Sequence, residues 1–291
     1  MMKLAFVFPG QGSQAIGMGK GFAESLLDRA NRALSFDLKK LCLEGPEEEL
    51  KKTAIQQPAI FAVSVAAFEL LRAKGLNPDV VAGHSLGEYS ALYAAGALSF
   101  EDGVKTVSQR GLFMQEAVPM GVGAMAALLG GDRAKIVEAC AEIGEVWPAN
   151  FNSPGQIVIS GKKEKVEAAG EKLKAAGVKK IIPLAVSAPF HCPLMQPAAD
   201  RLKPLIDALP IKDPQTPVFA NVTANPVNSA IEIKKLLYQQ VYSSVLWEDS
   251  IKNMIEAGVT KFVEVGPGKV LAGLIKKISA NVEVISYEEV N

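Results

Sequence analysis

Ser85 lies in Gly83-His84-Ser85-Leu86-Gly87, with apolar Val80-Val81-Ala82 before it and a helix-forming segment, Glu88 to Ala97, after it. A serine on a sharp strand-to-helix bend has its hydroxyl pushed into the open, the arrangement of a nucleophile elbow. The glycines permit the bend, because without β-carbons strand and helix can approach closely. A helix beginning beside Ser85 also aims free backbone N–H groups at charge developing on a bound acyl group. The chemistry this spacing suggests is acyl transfer through a serine ester. A hydroxyl nucleophile needs a base, most often histidine, and the chain has two histidines. His84 precedes Ser85 at a strand end, where successive side chains face opposite ways, so it is expected to pack behind the nucleophile. That leaves His191, in Ser187-Ala188-Pro189-Phe190-His191-Cys192-Pro193, as the expected base. Spacing does not choose the group that orients the imidazole. Many acids lie between Ser85 and His191, and a backbone carbonyl can serve instead.

Other motifs fail on their own spacing. Gly10-Gln11-Gly12 is followed by Ala15 where a dinucleotide fingerprint needs its third glycine, and Gly266-Pro267-Gly268-Lys269 runs into Val270, not the Ser or Thr of a phosphate loop. Three scattered cysteines and two histidines offer no zinc cluster. The 31 basic and 31 acidic residues balance, which disfavours a nucleic-acid binder. With 49% hydrophobic and 21% charged residues the composition is that of a globular enzyme, and Cys42, Cys140 and Cys192 read as thiols in a reducing compartment. The apolar run to Phe8 is short for a signal peptide and lacks a cleavage site. Ile181 to Ala199 is uncharged but broken by prolines, and nothing else is expected to reach spanning length. A cytoplasmic protein is expected.

The elements that must position these residues alternate. Residues 3–8 read as a buried strand, a helix is expected from Pro58 to Lys74, and Asp79 to His84 is the strand delivering Ser85. Such alternation predicts a parallel sheet covered by helices. The middle differs. A strand at Ala124–Gly130, a helix capped by Asp132, strands at Val146–Asn150 and Gln156–Ser160, a lysine-rich helix Lys163–Ala176 and a strand Lys179–Val186 give β-α-β-β-α-β, the ferredoxin-like order. Afterwards strands are expected at Pro217–Val222, Lys261–Val265 and Val282–Ser286, with helices from Asp249 or Ser250 to Ala257 and from Gly268 to Ile278.

Six motifs in order carry a resemblance: Phe8-Pro9-Gly10-Gln11-Gly12-Ser13-Gln14, Gly83-His84-Ser85-Leu86-Gly87-Glu88, Gln109-Arg110-Gly111, Asn150-Phe151-Asn152-Ser153-Pro154-Gly155-Gln156, Phe190-His191 and Glu264-Val265-Gly266-Pro267-Gly268. Together they resemble the malonyl-CoA:acyl carrier protein transacylase family over essentially the whole chain. The resemblance implies an α/β-hydrolase-like core with a parallel sheet, formed by residues 1–123 and 190–291, and an inserted ferredoxin-like small subdomain over 124–189. It implies that Ser85 takes the malonyl group and His191 is general base and then general acid. The backbone N–H groups of Gln11 and Leu86 would form the oxyanion hole, and Arg110 would bind the free malonyl carboxylate. The carbonyl of Leu246, before Trp247, would orient the histidine. Phe190 would accompany malonyl selectivity, with Met114 in the pocket and Met120, Met125 and Met195 as further candidates. The partners implied are malonyl-CoA and acyl carrier protein, with no cofactor beyond the CoA thioester, no nucleic acid, no membrane and a monomer as the default. The lysines at 162, 163, 165, 172, 174, 179 and 180 fit either an acidic carrier surface or a solvated helix face. The competing readings are a stand-alone polyketide acyltransferase, a serine thioesterase or esterase without an arginine clamp, and a non-catalytic carrier-docking module.

Overall fold

Strand β1 (Lys3–Phe8) has Ala5, Phe6, Val7 and Phe8 all fully buried, as a central strand covered on both faces requires. The computed structural model describes residues 3–186 and 188–290; Met1, Met2, Ser187 and Asn291 fall outside the described residues. Helices α1 (Glu24–Ala33), α2 (Leu38–Glu44) and α3 (Glu47–Leu50) lead to the long α4 (Thr53–Ala73). Strand β2 (Val80–Gly83) then runs into α5 (Gly87–Ala94), and α6 (Phe100–Glu116) comes next.

Helix α4 begins at Thr53, five residues before the expected start, and Pro58 lies inside it. Tertiary packing overrides the proline. At Gly111 of α6 an added β-carbon would sit 2.4 Å from the Thr53 carbonyl oxygen, so that glycine lets the two helices meet at the first turn of α4. At 21 apolar-rich residues α4 is long enough to cross a membrane, which corrects the expectation that nothing else reaches spanning length, but it is wrapped within this protein, from Ala59 to Phe68 almost wholly buried.

Strands β3 (Gly123–Leu129), β4 (Val146–Ser153), β5 (Gln156–Lys162) and β6 (Lys180–Pro183), with α7 (Arg133–Ile143) and α8 (Lys163–Ala175), form a separate antiparallel sheet in the order β4-β5-β3-β6. Its helices bury Ile136, Cys140, Val166 and Leu173 against Leu128, Ile157 and Ile159, a core of its own. Asp132 caps α7 as expected, accepting from the Lys135 N–H.

The chain returns through α9 (Gln196–Ala208), β7 (Val218–Phe219), β8 (Pro226–Val227), α10 (Ala230–Gln240), α11 (Trp247–Glu256), β9 (Val259–Glu264), α12 (Val270–Ile278) and β10 (Glu283–Ser286). The large sheet has the order β10-β9-β1-β2-β7-β8, parallel except where β8 runs against β7. Because β1 pairs with β2 on one side and with β9 on the other, the winding reverses there. The crevice outside the carboxyl ends of such strands is where α/β sheets bind ligands.

The subdomain is stitched to the core. The Phe151 N–H donates to the Val245 carbonyl at 2.9 Å and the Val245 N–H to that of Ala149 at 2.8 Å. Arg133 of α7 grips Asp249 of α11 through both guanidinium ends, at 2.8 and 2.7 Å.

Candidate active site

The turn after β2 is as tight as the glycine spacing suggested. A β-carbon on Gly83 would lie 1.8 Å from the Gly87 carbonyl carbon, and one on Gly87 would lie 2.1 Å from the Phe8 carbonyl oxygen. Ser85 is forced to φ +52°, a left-handed conformation costly for a residue with a side chain. Two amides hold it there. The Ser85 N–H donates to Asn221 Oδ1 at 2.6 Å, and the Ser85 carbonyl accepts from Gln240 Nε2 at 3.0 Å. Asn221 reaches back because the expected strand 217–222 is cut to two residues. The chain turns at Ala220, whose carbonyl accepts from the Ala224 N–H at 2.9 Å.

His191, also left-handed at φ +57°, precedes a short 3₁₀ turn at Pro193–Met195. Its Nε2 lies 2.7 Å from Ser85 Oγ and its Nδ1 2.9 Å from the carbonyl oxygen of Gln240. A carbonyl only accepts, so Nδ1 carries the proton and Nε2 is left to accept from the serine hydroxyl. The orienting carbonyl is therefore that of Gln240 and not that of Leu246. The Leu246 carbonyl is taken up by the Ser250 N–H at 2.9 Å and the Ser250 hydroxyl at 2.8 Å, at the start of α11. Burial, with Arg110 nearby adding to it, holds the His191 imidazole down to about 3, so it is neutral at pH 7.

Arg110 comes from α6, turned inward to 1% exposure. Its Nη2 donates to Ser85 Oγ at 3.0 Å and to Gln240 Oε1 at 2.9 Å, and its Nη1 to Gln57 Oε1 at 2.8 Å. None of these acceptors is charged, and the buried Nε–H has no partner among the described residues. Glu88, 3% exposed, accepts on Oε2 from the Asn221 N–H at 3.0 Å and from Gln240 Nε2 at 2.8 Å. Burial raises its carboxyl to about 7.

These groups open onto a cavity of about 380 Å³ between the large sheet and the subdomain, lined among others by Gln11, Ser85, Arg110, Met114, Phe190 and His191. Met125 and Asn150 close it from the subdomain side. Leu86 is buried directly after Ser85, and the hydrogen bonds of the described residues leave the N–H groups of Gln11 and Leu86 unused. Met195 is in the core and Met120, 93% exposed, is in a neighbouring groove, so those two leave the pocket. His84 bonds Asn152 Oδ1 at 2.8 Å, with its ring 5.5 Å from that of Trp247. Of the lysine row, Lys162 and Lys172 pair with Glu145 and Glu142. Sequence reasoning missed Gln57, Asn221 and Gln240. Glu88, three residues after the serine, was the only one with a positional signal.

An acyl transferase domain family matches residues 5–290. Malonyl CoA-acyl carrier protein transacylases of Bacillus subtilis and Escherichia coli K12 are 50% and 49% identical, over 99% and 96% of this chain and 94% and 93% of their own. The solved malonyl CoA-acyl carrier protein transacylase of Coxiella burnetii superposes with a TM-score of 0.96 at 44% identity, covering 98% of this chain and 94% of that one. A malonyl-transacylase solved in complex with a type II PKS acyl-carrier protein gives 0.95 at 46% identity, over 98% of this chain and 95% of its own.

Proposed function

This chain belongs to the acyl transferase domain family, and from that footing we propose that it carries a malonyl group from malonyl-CoA to the phosphopantetheine thiol of acyl carrier protein, by way of an ester on Ser85. It supplies extender units for fatty acid synthesis. The observation that carries the reading is Arg110, a buried guanidinium 3.0 Å from the nucleophile oxygen and bonded only to neutral oxygens. A cation so placed suits an acyl group that ends in a carboxylate.

The chemistry rests on the tautomer. His191 Nε2 takes the Ser85 proton as Oγ attacks the thioester carbonyl, and the N–H groups of Gln11 and Leu86 receive the oxyanion. Such donors are worth about a hundred- to a thousand-fold in rate each. The Gln240 carbonyl steadies the imidazolium that forms. The C–S bond then breaks, and His191 returns the proton to the departing CoA sulfur. In the second half the carrier thiol gives its proton to His191 and attacks the ester, and Ser85 leaves with that proton. Thioester goes to ester and back to thioester, so no redox cofactor enters the balance.

We read residues 124–189 as a ferredoxin-like insert in an α/β-hydrolase-like core, a reading supported by the β-α-β-β-α-β order and the nucleophile elbow. A cytoplasmic enzyme fits its three buried, unpaired thiols. Intact mass spectrometry after mixing with malonyl-CoA tests the function. A malonyl adduct that disappears in Ser85→Ala is expected; no adduct, or one that persists in the variant, defeats it.

A further inference from the structure

Glu88 is a buried carboxyl to which the acyl-transfer steps assign no task. It lies close enough to Arg110 to feel its charge, and a buried carboxylate beside a buried cation ordinarily pairs with it. Here an amide is interposed. Gln240, fully buried at the end of α10, has its polarity fixed by its neighbours. Its Nε2 faces two acceptors, the Ser85 carbonyl at 3.0 Å and Glu88 Oε2 at 2.8 Å, and must be the nitrogen. Its Oε1 faces Arg110 Nη2 at 2.9 Å and must be the oxygen, because a guanidinium only donates.

We infer that Gln240 is a specificity-determining positioning residue, whose side-chain amide separates Glu88 from Arg110, satisfies both, and leaves the guanidinium charge unspent for the carboxylate of the acyl group. This rests on the malonyl reading of the site. Gln57 presents a second neutral amide oxygen to the other edge of the guanidinium, accepting from Nη1 at 2.8 Å, while its own Nε2 reaches Met114 Sδ at 3.9 Å. The orphaned Arg110 Nε–H is a second, independent sign. A buried donor without an acceptor is unfavourable, so the guanidinium keeps hydrogen-bonding capacity that no described residue takes up. With an in-protein carboxylate on Arg110, the substrate would have to displace a charge-assisted bond. Against amide oxygens it competes with bonds in which only the donor is charged, weaker than an ion pair.

The test exchanges the two groups. The double variant Glu88→Gln, Gln240→Glu keeps one carboxyl and one amide across the same hydrogen bond but turns the carboxylate toward Arg110; the Ser85 carbonyl loses its Gln240 donor, a loss shared by both acyl substrates. Steady-state rates of Ser85 acylation by malonyl-CoA and acetyl-CoA are measured on folded protein. KM for malonyl-CoA is expected to rise at least tenfold, beyond any change shared with acetyl-CoA, so the malonyl preference in kcat/KM falls at least tenfold. Gln57→Glu brings a carboxylate to the other edge without touching Glu88, and the same fall is expected, so the idea does not depend on one variant folding. A smaller change in preference, or equal losses with both substrates, overturns the inference. A wild-type protein that forms no malonyl-Ser85 adduct instead overturns the reading on which it rests.

Discussion

Two titrating groups in the site pull in opposite directions. The His191 imidazole is held at about 3, below its ordinary 6.5, so its contribution to stability is complete above pH 6.5 and is lost as pH falls toward 3. The Glu88 carboxyl is raised from 4.5 to about 7, so its contribution is complete below pH 4.5 and is lost as pH rises through 7. Glu88→Gln removes the second effect while keeping an oxygen for Asn221 and Gln240. Urea melts are expected to show little change at pH 4.5 and a stabilisation at pH 8 of at most about 3 kcal/mol. In that variant kcat/KM for Ser85 acylation should stay level from pH 8 to 5, since the base remains neutral. An inflection near 6.5 would mean that the imidazole meets water. Ser85 was legible through its Gly-x-Ser-x-Gly turn, His191 by elimination between two histidines, and Arg110 only through the family resemblance. The orienting carbonyl was not, since every residue has one and only the fold chooses between Gln240 and Leu246. Gln57 and Asn221 were hidden for a related reason: a buried amide has no characteristic spacing.

At the level of elements, the site depends on close approaches that glycine alone allows. Gly87→Ala would force a β-carbon to 2.1 Å from the Phe8 carbonyl oxygen, joining β1 to α5 by a clash with backbone that cannot move aside. A destabilisation above about 3 kcal/mol in urea melts, or failure to fold, is expected. The identical change at Gly273, inside α12 with nothing within 4 Å of its added β-carbon, should stabilise by about 0.5–1 kcal/mol through helix propensity. Strand and helix order was readable along most of the chain because apolar periodicity and caps such as Asp132 are local signals. The exceptions are tertiary. Pro58 marks a helix start by local rules, yet packing at Gly111 carries the helix five residues further back. The strand expected over 217–222 stops at Phe219, because the backbone at Ala220 must leave the sheet for Asn221 to reach Ser85.

Across the whole molecule, the cavity is lined from the sides of both sheets, so the joint between them matters. The Arg133–Asp249 pair is half exposed at 41% and 29%, and exposed pairs contribute little. A double-mutant cycle with Arg133→Ala and Asp249→Ala should give a coupling below about 1 kcal/mol. The joint should hold through the backbone bonds at Val245, with amide exchange at Phe151 staying slow in both variants. A larger coupling, or fast exchange at Phe151, would show that the ion pair holds the units together. The groups around Ser85 are also drawn from distant points along the chain: Gln57, Arg110, His191, Asn221 and finally Gln240. During synthesis on the ribosome, then, the serine emerges long before its base has an acceptor behind it. A chain ending short of Gln240 would carry the elbow without the carbonyl that orients its base, and intact mass spectrometry is expected to find no malonyl adduct on it.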